Sequence, residues 1–154
     1  NNAASAYKLI EKDLSKLLNS PVSVKKLNRF NASPKSTSIE KFNNKVPKNK
    51  VVNFQGFRSI CPVTSQPDWG NIYLHSTSHS MDSTKLIKFL KSYRNRGDFH
   101  EACIESIFVT VLEDFVVNDL TVYGKFLRRG GIDINPIRST SKKLLFNNFR
   151  DFNQ

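Results

Sequence analysis

The chain has 154 residues, enough for one ordinary domain or two small repeats. Its 38% hydrophobic content, with twelve Phe, can fill a core, while its apolar stretches are too short to cross a bilayer as helices, so no membrane association is expected. The formal net charge of +11 admits nucleic acid, a small phosphorylated ligand or a lysine-rich solvated surface; without a clustered RNA motif, direct nucleic-acid binding is not expected.

The opening, NNAASAYKLIEKDL, is polar and charged, unlike a secretory signal. Residues 3–18 read as an amphipathic helix, with Ala3, Tyr7, Ile10, Leu14, Leu17 and Leu18 at steps of three and four. Asn19-Ser20-Pro21 stops it, and Val22-Ser23-Val24 begins a short predicted strand. Residues 28–50 are rich in Asn, Ser and Lys and carry two prolines, Pro34 and Pro47, the pattern of a linker or mobile loop. Strands are predicted over 51–57 and 71–75, with the Cys61 segment between them read as loop because Pro62 and Pro67 break it. Residues 83–93 form a helix with Leu86, Leu90 and Tyr93 inward. In 101–115 the stripe of Ile104, Ile107, Phe108, Val111, Leu112 and Phe115 marks the clearest helix. A strand over 120–127 ends at Arg128-Arg129-Gly130-Gly131, and from Ser139 the tail is basic and weakly patterned. IEKDLSKLLNSPVSVKKL (10–27) and VTVLEDFVVNDLTVYGKF (109–126) both read helix, turn, strand, which suggests a tandem repeat.

The two cysteines, Cys61 and Cys103, show no disulfide framework and no C-x-x-C spacing, which points to a reducing cytoplasm and against structural zinc. Cys61 stands in a polar turn, SICPVTSQPDW, seven residues before Asp68. It is either a nucleophile with a nearby proton carrier or a half-buried loop cysteine beside a surface acid. In DFHEAC, His100 and Glu101 open the long helix. Glu101 can grip the planar N–H edge of a guanine-like ring, or simply complement the helix dipole. His75 and His79 lack an obvious third partner for a metal, and none is expected. In RRGGIDINP the arginines fit phosphate pairing or an exposed strand-terminating turn.

Three blocks, CPVTSQPDWG (61–70), SYRNRGDFHEAC (92–103) and VYGKFLRRGGIDINP (122–136), resemble the NADPH-dependent 7-cyano-7-deazaguanine (nitrile) reductase family of queuosine biosynthesis, a tRNA-modification pathway. The resemblance is strong over 51–140, and it is closest to the second half of the long, tandem form. It implies an α+β tunnelling fold, an antiparallel sheet with two helices packed on one face, similar to GTP cyclohydrolase I and pterin synthases. It also implies a homo-oligomer with sites between repeats or subunits. Residues 1–27 would then end a truncated first repeat, 28–50 would link, 51–138 would form the catalytic repeat and 139–154 a basic tail.

Matched residue by residue, the resemblance makes Cys61 the nucleophile that adds to the nitrile carbon and gives a thioimide. Asp68 handles protons, His100 stands near the hydride step, and Glu101 grips the deazaguanine edge. NADPH is the implied cofactor, with Arg128, Arg129, Gly130 and Gly131 as its candidate contacts. One departure concerns the same cofactor. Short-form members carry Glu-Ser-Lys-Ser with a second Lys nearby where this chain has Asp82-Ser83-Thr84-Lys85-Leu86-Ile87, so both motif lysines are absent from their places, Lys85 and Lys88 being offset by one. The alternative, in a different functional class, is a non-catalytic module of the same fold that binds a purine-like base or RNA.

Overall fold

The computed structural model describes residues 2–78, 80–142, 147–151 and 154. Residues 1–30 and 31–154 form two units. In the first, α1 (Ala3–Leu18) matches the predicted helix; the Asn2 side chain caps it by accepting from the Ala4 N–H, and Asn19 ends it at φ 48°. No residue of α1 is buried, and its leucines lie exposed. The strand predicted at 22–24 does not form. The Val22 N–H goes to Ser15 Oγ (2.9 Å) and the Val24 N–H to Glu11 Oε1 (2.7 Å), so helix side chains take donors that a ladder would have used.

The second unit is built on a five-stranded sheet. Its strands are β1 (Thr37–Ser38), β3 (Val52–Ile60), β4 (Pro67–His75), β6 (Thr121–Phe126) and β7 (Ile137–Ser139), adjacent in that order. β1 runs parallel to β3, and the remaining neighbours are antiparallel. A small antiparallel pair, β2 (Lys45–Val46) with β5 (Met81–Asp82), stands apart from it. Two helices, α2 (Ser83–Ser92) and α3 (His100–Asp114), pack on one face.

Strand alternation sorts the side chains between the faces. Ile72 and Leu74 of β4 and Val122 and Phe126 of β6 join Leu86 and Leu90 of α2 and Ile104, Ile107 and Val111 of α3 in one core. Tyr73 and Tyr123 take the opposite face. The α+β class, the antiparallel sheet and the two helices on one face are thus as the sequence reading expects.

Gly124 sets the separation of sheet and helix. A Cβ there would lie 2.8 Å from Ile104 Cδ1, closer than side chains approach. Gly124→Ala is therefore expected to lower unfolding free energy by about 1–3 kcal/mol, the usual cost of overpacking, measurable in urea.

Three expectations need correction. Residues 28–50 are not simply a linker: β1, β2 and a 3-10 turn (Ile39–Lys41) occur there, and Ile39 and Val46 are buried in the core. Two-residue strands carry no periodicity to read. Second, Pro67 and Asp68 belong to β4, paired with Ile60 and Ser59. Proline fits there as the first residue of a strand, where its missing N–H costs least. Third, the weakly patterned tail holds residues that pack on the sheet. β7 extends into it, and Phe149 is buried edge-on against Tyr73 and Tyr123, at centroid distances of 5.2 and 5.6 Å. Lys125 donates Nζ to the Phe149 carbonyl, while Asp151 Oδ2 accepts from Asn71 Nδ2 (2.9 Å) and from the Tyr73 hydroxyl (2.8 Å).

Candidate active site

The β3–β4 hairpin places the sulfur. Beyond the Ile60–Pro67 pair, the Cys61 N–H bonds the Gln66 carbonyl (2.8 Å), and the Ser65 N–H bonds the Cys61 carbonyl (2.9 Å). Ser65 accommodates the tight loop at φ 55°. The Ile60 N–H bonds the Arg96 carbonyl (2.8 Å), tying the hairpin to the segment that leads into α3. Cys61 is only partly covered. Its thiol is held below the ordinary range chiefly by hydrogen bonding from the Thr64 side chain, then by the Thr64 and Val63 N–H groups, which together outweigh burial and the charge of Asp68. Donors aimed at sulfur favour the thiolate, the nucleophilic form.

Cys103 has the opposite surroundings. It is fully buried on α3, and burial pushes its thiol up to about 11. Iodoacetamide is accordingly expected to alkylate Cys61 and spare Cys103 in the folded chain. The rate should rise with pH through a midpoint lower than that of a free cysteine, because only the thiolate reacts. Peptide mapping after a short exposure checks both statements.

Asp68 is the second residue of β4 and shares the helix-facing side with Ile72 and Leu74. That alternation buries its carboxylate at the start of α3. Oδ1 accepts from Arg129 Nε (3.0 Å) and from Arg129 Nη2, whose fork also reaches the Pro67 carbonyl (2.6 Å). Oδ2 faces His100 Nε2 at 3.2 Å, within ion-pair reach but off the alignment of a hydrogen bond. The buried His100 ring stacks on Phe126, with centroids 4.1 Å apart and planes 12° from parallel. Glu101, the next residue of α3, is turned about 100° from His100 and stays exposed.

These side chains meet in a cleft of about 440 Å³, which Cys61, Asp68, His100 and Glu101 all line. That size suits a small-molecule ligand. Phe99, which is 55% exposed at the cleft, and Ile134 give it apolar walls. Sequence reasoning did not single out Thr64, Phe99 or Ile134. Thr64 stands inside the CPVTSQPDW block, but its aim at the sulfur arises only when the loop closes.

The four expected cofactor contacts are placed unevenly. Arg129 lines the cleft with its guanidinium engaged by Asp68. Arg128 instead pairs with Asp133 at 3.2 Å. Gly130 and Gly131, at φ 56° and 81°, form the tip of a tight turn closed by Arg129 and Ile132, and neither lines the cleft. His75 ends β4, and burial lowers its pKa; His79 lies outside the described residues. Among the described residues no cluster of three or more His, Cys, Asp or Glu could hold a metal ion.

A family model described as QueF-like protein matches residues 67–144. Similar curated proteins carry the name NADPH-dependent 7-cyano-7-deazaguanine reductase. The one from Coxiella burnetii (strain Dugway 5J108-111) is 47% identical over 97 residues, 63% of this chain and 35% of that protein. Those from Paraburkholderia xenovorans (strain LB400) and Burkholderia cenocepacia (strain HI2424) are 38% identical over 117 residues and 35% identical over 125 residues. They cover 76% and 81% of this chain, but 43% and 45% of their own lengths. The chain thus spans less than half the length of these relatives. The crystal structure of an archaeosine synthase QueF-Like in the apo form shares the fold, with a TM-score of 0.56 at 18% identity, over 62% of this chain and 95% of that one. The motif blocks, the sheet with its two helices and the family match agree: this chain belongs to the QueF-like protein family.

Proposed function

We propose that this chain carries the nucleophile-bearing part of an NADPH-dependent 7-cyano-7-deazaguanine reductase, the activity named for its relatives. One observation carries the reading: a partly exposed thiol, lowered by hydrogen bonds, shares a cleft with a buried acid–imidazole pair and an exposed glutamate. The cleft takes a flat heterocycle between Phe99 and Ile134, and Glu101 accepts the paired N–H groups of its edge. The Cys61 thiolate attacks the nitrile carbon. The C–S bond forms, one π bond of C≡N breaks, and its electron pair goes to nitrogen, which takes a proton from the Asp68–His100 pair. The product is a thioimide, a better electrophile than the nitrile it replaces. NADPH, when bound, supplies the hydride equivalents for reduction to the 7-aminomethyl compound.

The arginines expected to hold that cofactor are already engaged: Arg128 and Arg129 are each paired with a carboxylate, and among the described residues no Arg or Lys besides Arg129 lines the cleft. The cofactor site is therefore assigned to contacts beyond this cleft, such as another copy of the chain would supply. The same reading makes residues 1–27 the end of a preceding repeat, the assembly a homo-oligomer with sites at repeat or subunit interfaces, and the cytoplasm the place of action. Among the described residues no helix is long and apolar enough to cross a membrane.

The test is to incubate the chain with 7-cyano-7-deazaguanine and record intact mass and absorbance. The reading expects a mass gain of one intact nitrile per chain and a new absorption band. An unchanged mass with reversible retention of the base would instead favour a binding module.

A further inference from the structure

We propose that Arg129 is the positioning residue of this site: it fixes one oxygen of Asp68 so that the other stays aimed at His100. The inference rests on reading Asp68 as a proton carrier, and it gives Arg129 a role towards the acid beside any contact with phosphate.

The geometry separates two roles within one carboxylate. Oδ1 receives both Arg129 donors, Nε at 3.0 Å and Nη2, while Oδ2 lies 3.2 Å from His100 Nε2. Arg129 Nη2 also binds the Pro67 carbonyl, so the fork grips the strand next to the acid as well as the acid itself. A planar guanidinium can do this with one fixed geometry, whereas a lysine ammonium is a single point donor. The imidazole is held independently, by its stack on Phe126. Acid and ring are therefore each oriented by a different group, and the gap between them is set by the fold.

The support of Arg129 is itself built for rigidity. Arg129 and Ile132 exchange backbone hydrogen bonds (3.0 and 2.9 Å) across the glycine pair, whose positive φ values the turn requires. Arg128 pairs with Asp133 at the base of the same turn. Gln154 then clamps the loop from outside, donating Nε2 to the Phe126 carbonyl (2.8 Å) and to Asn135 Oδ1 (2.7 Å). The segment that carries Gln154 is anchored on the sheet by Asp151 and Phe149. A surface arginine pairing casually with an acid has no need of such a frame.

Arg129→Ala, Arg129→Lys and Asp68→Asn are compared with the unaltered chain by two readouts. The first is the imidazole nitrogen NMR spectrum of the ligand-free protein, with the His100 signals assigned through His100→Gln. The second is the rate of covalent adduct formation with 7-cyano-7-deazaguanine, with and without millimolar guanidinium. The expected result is that Arg129→Ala moves the His100 signals as Asp68→Asn does and slows the adduct by roughly 10–100-fold. Added guanidinium should restore part of that rate, and Arg129→Lys should fall between. His100 signals unmoved in Arg129→Ala would overturn the proposal, as would a full adduct rate in that variant. If the unaltered chain forms no adduct while the His100 signals still move in Arg129→Ala, the nitrile reading fails and the positioning of Asp68 stands.

Discussion

Cys61→Ala is expected to leave no covalent adduct with 7-cyano-7-deazaguanine and to cut any nitrile reduction by at least about a thousandfold, because no other thiol can replace it. Cys103 is fully buried and its thiol is raised to about 11, so it offers neither access nor thiolate. The loss should be chemical only. Cys61 is partly exposed and holds its loop through backbone groups that alanine keeps. Unfolding free energy is expected to change by no more than about 0.5 kcal/mol. Intact mass after soaking, together with a urea curve, separates the two effects. An adduct that survives in Cys61→Ala would move the nucleophile elsewhere.

Asp68→Asn is expected to act on rate and stability together. A positioned proton carrier contributes roughly 10²–10⁴-fold, and the amide has no proton to exchange with a nitrile nitrogen, so adduct formation should slow by that order. The fold also loses a buried partner. The Asp68 side chain is 5% exposed and faces both Arg129 and His100. Breaking a buried ion pair costs about 3–5 kcal/mol, but the Arg129 side chain is 42% exposed and can rehydrate, so about 1–3 kcal/mol is expected in urea. Asp68→Asn with normal adduct kinetics would remove Asp68 from the chemistry.

What could be read from the sequence follows its periodicity. The stripe from Ile104 to Val111 located α3 because a helix on a sheet must bury one face, and the same reasoning placed α2 and β6. β1 and β2 are too short to show a pattern, and what fixes them is a partner distant in sequence: Thr37 pairs with Val52, and Val46 with Met81. Phe149 shows the same limit, since a lone aromatic in a basic tail gives no sign of two tyrosines waiting across the sheet.

At the site, the spacing of Cys61 and Asp68 was compatible with inert and reactive readings alike. The hairpin favours the reactive reading: it closes at Ile60–Pro67 and brings three donors of Thr64 and Val63 to the sulfur. Arg129 was read either as a phosphate contact or as an exposed residue of a strand-terminating turn, because two arginines stand before two glycines. Its inward aim depends on the pairing of β4 with β6, which brings Leu127 alongside Trp69 and the next turn over Asp68.

Asp68 and Trp69 are neighbours that face opposite sides of β4, the first buried and the second 37% exposed. A slip of the strand by one position would exchange them, putting an indole where the acid belongs and the acid out in water. The length of the loop spanning 61–66 is therefore part of the chemistry. Adding or deleting a single residue there is expected to disable the site even where the rest of the molecule still folds, so the length of this hairpin is as constrained as its Cys61 and Thr64.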